Sequence, residues 1–279
     1  MSLFLFLAVL VAAFLHASWN VLVKLNIDRF LAMFLLQTLM GVMGIAMLMV
    51  FVSPSAASLP YALTSGALHT GYNLFLARSY RTGDLSVVYP VARGTAPLIT
   101  LGASYVFGHD SISLFAVLGI LTLIAGIWMI ALGPSKAVRV DRTTLLFALG
   151  TSVFIGCYTV VDGLGGRASG SASGYTGLVF VFDAIGMLVA GIFLRGPGIF
   201  KAVLPFWRRG AIGALASGSA YWIVIWAMSL APIAVVAALR ETSILFAIGL
   251  SAKVLDEKLT FSRMAGALLV VAGAMALRA

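Results

Sequence analysis

Two arginine residues stand inside long apolar stretches of this chain. Arg93 lies near the middle of residues 83–98, and Arg240 lies within residues 237–245. A charged side chain at the centre of a bilayer costs roughly 2.5–3.5 kcal/mol on insertion scales, so it usually persists because it has a function. Two guanidinium groups at one site would favour an oxyanion, such as a carboxylate, a phosphonate or another planar anion, through bidentate hydrogen bonds.

The two arginine stretches belong to an internal repeat. Arg93 aligns with Arg240 at an offset of 240 − 93 = 147 residues. The same offset aligns four further pairs, which are Thr95 with Thr242, Asp110 with Glu257, Gly119 with Gly266, and Gly126 with Gly273. The chain therefore contains the same half twice.

Two acidic residues, Asp183 and Glu241, also fall near the middle of apolar stretches. They could form ion pairs that neutralise the arginines. Alternatively, one of them could take up and release a proton and so couple proton movement to transport, and Glu241 is the better candidate because it lies in the repeated stretch. Adjacent residues on a helix do not face each other, so we expect Arg240 and Glu241 to have separate partners.

Polar and aromatic residues at membrane depth are the other candidates for a substrate pocket. Aromatic walls with a few polar groups suit small organic ligands, although each such residue alone could equally serve as an interhelical hydrogen bond. Besides the two arginines, the candidate substrate-binding residues are Tyr89, which shares a helix face with Arg93, and Trp19, Asn20, Tyr72, Asn73, Tyr158, Tyr221 and Trp222.

The composition indicates that these residues are positioned by membrane-spanning helices. The chain of 279 residues is 62% hydrophobic and 10% charged, whereas soluble domains are about 25% charged. Its mean hydropathy is +1.10. Since a polytopic membrane protein carries basic residues in its cytoplasmic loops, the net charge of +9 does not indicate a nucleic-acid partner.

Stretches of about 20 apolar residues predict ten spanning helices and an all-α integral membrane fold. They lie at approximately 3–24, 30–52, 60–81, 85–107, 112–132, 142–163, 173–194, 209–231, 234–255 and 260–278. A polar linker at 134–141 separates a first five-helix repeat, 1–133, from a second one, 142–279. Because five is odd, the two repeats must cross the membrane in opposite senses, as in many secondary transporters.

The basic residues predict an orientation. Apart from Arg93 and Arg240, all Lys and Arg residues except Arg167 and Arg278 fall in the connections after the odd-numbered helices. The positive-inside rule therefore places these connections in the cytoplasm and both termini outside.

Several motifs together resemble the EamA-type branch of the drug/metabolite transporter superfamily. They are the Ser18-Trp19-Asn20 end of the first apolar run, the segments 77–80 and 227–230, the acidic turns at Asp110 and Glu257, and the glycine-bearing closing helices. The resemblance covers almost the whole chain. It implies ten helices around a central cavity, export of amino acids or similar metabolites from the plasma (inner) membrane, and cytoplasmic termini, which conflicts with the charge pattern.

The sequence thus predicts a secondary active transporter of a small polar metabolite, an amino acid or an organic anion. Export by alternating access with proton coupling is one reading; uptake of an organic anion such as a phosphonate or carboxylate, or a channel-like pore, are the others. No zinc-protease, nucleophile-elbow or phosphate-loop motif is present, so neither an enzyme nor a metal or cofactor site is indicated. The expected partners are a small-molecule substrate and the lipid bilayer, and the sequence does not specify an oligomeric state.

Overall fold

The computed structural model describes residues 1–23, 28–82, 85–107, 110–131, 142–255 and 260–278. Within these ranges, the side chains of residues 20–23, 79–82, 85–91 and 251–255 are not part of the description. The predicted linker at 134–141 and Glu257 lie outside the described residues.

Helices make up almost all of the described chain, in which no strand occurs. They are α1 (Leu3–Val23), α2 (Arg29–Val50), α3 (Leu59–Thr82), α4 (Leu85–Val106), α5 (Leu114–Ala131), α6 (Arg142–Ala168), α7 (Ala172–Arg195), α8 (Ile199–Val203), α9 (Trp207–Leu230), α10 (Ile233–Arg240), α11 (Ser243–Leu255) and α12 (Phe261–Arg278).

Seven stretches of the described chain are long and apolar enough to cross a membrane. They are Arg29–Val50, Leu114–Ala131, Arg142–Ala168, Ala172–Arg195, Ile199–Leu230, Ile233–Leu250 and Phe261–Arg278. The prediction of an all-α integral membrane protein is confirmed. The arrangement of ten spans in two inverted repeats stays a prediction.

Local sequence signals set several helix ends. The carboxylate of Asp28 accepts hydrogen bonds from the backbone N–H groups of Phe30 and Leu31 and so caps α2. Ser171 caps α7 in the same way through the N–H of Gly174. The helix α7 ends at Gly196, whose φ of 71° is readily adopted only by glycine.

Glycines allow the closest helix contacts. A Cβ atom added to Gly126 on α5 would lie 2.6 Å from the carbonyl oxygen of Gly266 on α12, and one added to Gly273 would lie 2.7 Å from that of Gly119. On α2, a Cβ atom added to Gly44 would lie 2.6 Å from the carbonyl oxygen of Gly177 on α7. Because glycine has no side chain, the backbone of α5 packs directly against that of α12, and the backbone of α2 packs directly against that of α7.

Two predicted helices differ from the structure. The predicted ninth helix, 234–255, is interrupted between α10 and α11 at Glu241 and Thr242, whose N–H groups bond to carbonyls three residues back. The predicted sixth helix was expected to end at 163, but α6 continues to Ala168 through a glycine-rich segment. Packing inside the bundle compensates for the low helix propensity of those glycines.

Candidate functional site

A small cavity lies among the helices, and residues from both halves of the chain line it. The lining residues come from α1, α2, α3, α4, α6, α7, α9 and α10. They are His16, Trp19, Met33, Leu36, Gln37, Met40, His69, Tyr72, Asn73, Arg93, Tyr158, Val179, Phe180, Asp183, Ser217, Tyr221 and Arg240. Many of the predicted substrate-binding residues thus face one shared space.

Both arginines meet one carboxylate beside this cavity. Arg93 Nε lies 2.8 Å from Glu241 Oε2, and Arg240 Nη2 lies 3.6 Å from Glu241 Oε1. All three side chains are buried. Two guanidinium groups therefore share a single carboxylate.

The contact between Arg240 and Glu241 corrects the expectation that they have separate partners. That expectation assumed a continuous helix, in which neighbouring residues point in different directions. In the structure α10 ends at Arg240, and Glu241 stands in the turn before α11. The two long side chains can therefore approach each other.

Arg240 has hydrogen-bonding capacity left over. Its Nε atom is buried and has no hydrogen-bond partner, and the same holds for Ser243 Oγ three residues further on. The guanidinium carbon of Arg240 lies 6.0 Å from the ring centroid of Tyr221, within the range of a cation–π contact. A buried donor without a partner is costly, so this geometry favours an additional acceptor.

Asp183 forms a separate polar group on the cavity wall. Asn73 Nδ2 donates to Asp183 Oδ1 over 3.4 Å, and Gln37 Nε2 donates to Asn73 Oδ1 over 3.4 Å. Among the described contacts, Asp183 pairs with this amide rather than with an arginine. Of the two carboxylates predicted to neutralise the arginines, only Glu241 contacts them.

Stacked aromatic rings form one wall of the cavity. His69 stacks on Tyr158 with a centroid distance of 3.9 Å and an interplanar angle of 21°. Tyr158 also makes edge contacts with Tyr72 at 5.6 Å and with Tyr221 at 6.0 Å. On α1, Trp19 Nε1 donates to His16 Nδ1 over 3.3 Å. Such rings offer flat apolar surfaces with polar tips to a small organic ligand.

Sequence reasoning missed Asp162. Its carboxylate is fully buried behind the aromatic wall. Tyr175 donates to Oδ1 over 3.1 Å, Tyr221 donates to Oδ2, and His69 Nε2 lies 3.2 Å from Oδ2. The signal was available, since Asp162 stands one helical turn after Tyr158, but the predicted sixth helix, 142–163, placed Asp162 at its end and not near its middle.

The remaining predicted residues have different positions. Trp222 does not line the cavity; its indole Nε1 donates to Ser173 Oγ over 2.9 Å, and its ring packs on Phe51. The side chains of Asn20 and Tyr89 lie outside the described residues.

A polar clamp fixes the start of the helix that carries Arg240. Arg167 at the end of α6 forms an ion pair of 2.9 Å with Asp110, and it donates to the carbonyls of Met228 and Ala231 at the end of α9. Asp110 Oδ2 in turn accepts from the backbone N–H of Ile233, the first residue of α10. These contacts satisfy backbone carbonyl groups at the end of α9 and a backbone N–H group at the start of α10, and they fix the direction of α10.

The described residues contain no cluster of three His, Cys, Asp or Glu side chains that could hold a metal ion.

Comparisons with known proteins identify a family. Residues 142–279 match the model of the EamA-like transporter family. No curated protein matches the chain. A solved structure described only as the crystal structure of a protein is similar over 99% of this chain and 96% of its own, with a TM-score of 0.79 and 17% sequence identity. At that identity, the likeness shows the fold alone.

Proposed function

Since the chain belongs to the EamA-like transporter family through residues 142–279, we propose that it is a secondary active transporter of a small metabolite with an anionic group. Amino acids and organic anions both fit this description. Arg93 and Arg240 bind the anionic group, and the aromatic wall of Tyr72, Tyr158 and Tyr221 encloses the rest of the molecule.

The observation that carries the substrate class is that two buried guanidinium groups, those of Arg93 and Arg240, meet the single carboxylate of Glu241. Glu241 accepts a short contact from Arg93 but only a long one, at 3.6 Å, from Arg240. Arg240 lines the cavity, and its Nε has no hydrogen-bond partner. A carboxylate or phosphonate that entered would find a charge-assisted donor on a buried side chain, and such bonds are strong where the local dielectric constant is low.

The helix packing supports alternating access by two inverted five-helix repeats. At the offset of 147 residues, Gly126 is equivalent to Gly273 and Gly119 is equivalent to Gly266. The contact between Gly126 and Gly266 therefore has an equivalent between Gly273 and Gly119, and both contacts occur. At the level of helices, α3 packs on α6 as α1 packs on α9. A cavity between two such halves can open to either side when they rock against each other.

Export across the plasma membrane is the direction that the family resemblance favours, and uptake of an organic anion is the alternative. The two arginines serve either direction. Inside-out and right-side-out vesicles separate them, because an exporter concentrates its substrate inside inside-out vesicles. Preferential uptake into right-side-out vesicles would contradict export.

Glu241 and Asp183, the two carboxylates predicted either to pair with the arginines or to couple proton movement, have different surroundings. Glu241 is held by Arg93 at 2.8 Å, which favours a fixed ion pair over proton exchange, since arginine stays protonated. Asp183 lines the cavity and bonds to the neutral amide of Asn73, so it is the better placed of the two to exchange a proton.

Thermal unfolding of the purified protein tests the substrate class. The panel contains L-alanine, L-glutamate, citrate, methylphosphonate and tetraphenylphosphonium, and a compound at 100 times its Kd stabilises the native state by about 2.7 kcal/mol. We expect at least one compound with an anionic group to raise the Tm of the parent. The Arg240→Gln variant should fold but lose this shift.

The matched control is Trp222→Phe, because Trp222 lies away from the cavity. It should keep the shift of the parent. Stabilisation by tetraphenylphosphonium alone, or a full shift in Arg240→Gln, would contradict an anion site at the arginines.

A further inference from the structure

Asp162 is a buried carboxylate with three polar partners, and it is not part of the proposed anion site at the arginines. Its two oxygens receive the hydroxyl groups of Tyr175 and Tyr221, and His69 Nε2 lies 3.2 Å from Oδ2. The carboxylate has no access to solvent. Anchoring of helices alone needs hydrogen bonds but no charge, and a buried charge without compensation is expensive.

His69 connects this buried carboxylate to the cavity. Its ring lines the cavity on one side and contacts Asp162 on the other. Stacking on Tyr158 and the edge contact with Tyr221 at 5.2 Å hold the ring in place. A proton that enters the cavity therefore meets the imidazole first, and the carboxylate behind it can stabilise the imidazolium form.

The helices packed around α6 bring further charged and titratable groups near the pair. On α7, Asp183 lies within electrostatic range of both Asp162 and His69, and on α3 Tyr61 lies near Tyr175. The contacts of α10 and α4 bring Arg240 and Arg93, together with Glu241, within range of Tyr158. The turn Ala56–Ser58, which also packs on α6, carries no titratable side chain.

We infer that His69 and Asp162 together form the binding site for a proton that drives transport. The inference rests on the proposed function. In one state of the cycle, an imidazole faces the carboxylate; in the other, the imidazole has bound one proton from the solution on one side of the membrane, and the pair releases it to the other side. No other bond forms or breaks.

Tyr221 links this proton site to the anion site. Its hydroxyl donates to Asp162, while its ring lies against the guanidinium group of Arg240. A proton on the His69–Asp162 pair changes how strongly the carboxylate holds the Tyr221 hydroxyl. Since the same ring packs on Arg240, occupation of one site affects the other, which is what coupling requires.

Nuclear magnetic resonance tests proton binding without any substrate. The chain has three histidines, so ¹⁵N-histidine labelling gives few resonances, and His69→Gln assigns that of His69. We expect the His69 resonance to change with pH in the parent and to follow a different titration in Asp162→Asn. A His69 resonance that is insensitive to pH, or identical in parent and Asp162→Asn, overturns the inference.

Proteoliposomes test coupling. The probe is ¹⁴C-labelled L-glutamate or methylphosphonate, whichever stabilises the parent more. The parent should exchange the probe across the membrane and accumulate it when a pH gradient is imposed. Asp162→Asn and His69→Gln should show gradient-driven accumulation at least tenfold lower than that of the parent. Trp222→Phe, whose side chain contacts Ser173 and Phe51 instead, should accumulate the probe as the parent does.

The outcomes separate the two proposals. If Asp162→Asn and His69→Gln accumulate the probe as the parent does, or if the exchanging parent ignores the pH gradient, the coupling site is refuted and the transporter stands. If the parent exchanges none of L-alanine, L-glutamate, citrate and methylphosphonate, the proposed function itself fails, whatever the resonance of His69 shows.

Discussion

Replacement of Glu241 by glutamine is the sharpest probe of the arginine site. Both carboxylate oxygens face a buried guanidinium group, at 2.8 Å for Arg93 and 3.6 Å for Arg240. Removal of one partner from a buried ion pair costs about 3–5 kcal/mol, because the remaining charge is left without compensation. Here two cations would remain, so we expect Glu241→Gln to lose stability in that range.

The matched variant is Arg240→Gln. It leaves the short contact between Arg93 and Glu241 intact and removes only the long one, together with a donor that has no hydrogen-bond partner. We therefore expect it to cost only about 1 kcal/mol, the size of one ordinary net interaction. The free energy of unfolding, measured by titration with dodecyl sulfate in mixed micelles, gives both values.

The two variants should also respond differently to an anion. In Glu241→Gln, an added carboxylate or phosphonate can take the place of the lost side chain, so the compound that stabilises the parent should restore part of the lost stability. Equal destabilisation by Glu241→Gln and Arg240→Gln would refute the reasoning. A Glu241→Gln protein as stable as the parent would refute it too, because the carboxyl of Glu241 in the parent would then carry no charge and could serve as a proton carrier.

Three further changes test the packing and the cavity wall. Gly126→Ala should lower the free energy of unfolding by about 1–3 kcal/mol, because its Cβ meets the backbone of Gly266. Gly102→Ala, with open space around it, should leave that free energy unchanged. Equal stability of the two variants in dodecyl sulfate titrations would contradict the close approach. Arg167→Gln loses an ion pair and two hydrogen bonds to backbone carbonyls, so we expect its free energy of unfolding to fall by about 1.5–3 kcal/mol in the same titration. An unchanged free energy of unfolding would show that these contacts do not stabilise the fold. Tyr158→Leu should remove about 0.5–1.5 kcal/mol of ring stacking and weaken the ligand-induced Tm shift, and an unchanged shift would exclude this wall from the site.

The convergence of the two arginines could be predicted from the sequence. Arg93 and Arg240 occupy equivalent positions of the repeat, and halves that meet about a twofold axis bring equivalent positions together. The structure places both side chains on one cavity. Gly119 and Gly126 are seven residues apart, which keeps these small residues on one helix face and so favours a close helix contact, and both lie against α12 in the structure.

The partner of Arg240 could not be predicted, because it depends on a helix break. The stretch 234–255 is apolar and has no proline in its interior, so its pattern indicates a continuous helix. The turn at Glu241 and Thr242 is stabilised by the tertiary packing of buried residues on both sides. Asp162 was missed for the opposite reason: the predicted helix 142–163 ends just after it, whereas α6 continues to Ala168 and leaves Asp162 inside the bundle.

Tyr221 and Trp222 were both predicted to line the substrate pocket, but only Tyr221 does so in the structure. Tyr221 and Trp222 are adjacent on one helix, so their side chains point about 100° apart and need not face the same cavity. Adjacent residues can still both line it, as Tyr72 and Asn73 do. The structure turns Tyr221 toward Arg240 and Asp162 and Trp222 toward Phe51 and Ser173. The angle between adjacent side chains therefore does not decide from the sequence which of Tyr221 and Trp222 lines the cavity.

Counterflow in proteoliposomes tests the central claim most directly. Vesicles that contain the purified protein are loaded with the unlabelled panel compound that raises the Tm most, and entry of its labelled form is followed in the parent, in Arg240→Gln and in protein-free vesicles. A transporter that binds its anionic substrate at Arg240 predicts saturable, transient accumulation in the parent alone. Flux that rises linearly with concentration, or equal accumulation in Arg240→Gln, would contradict it.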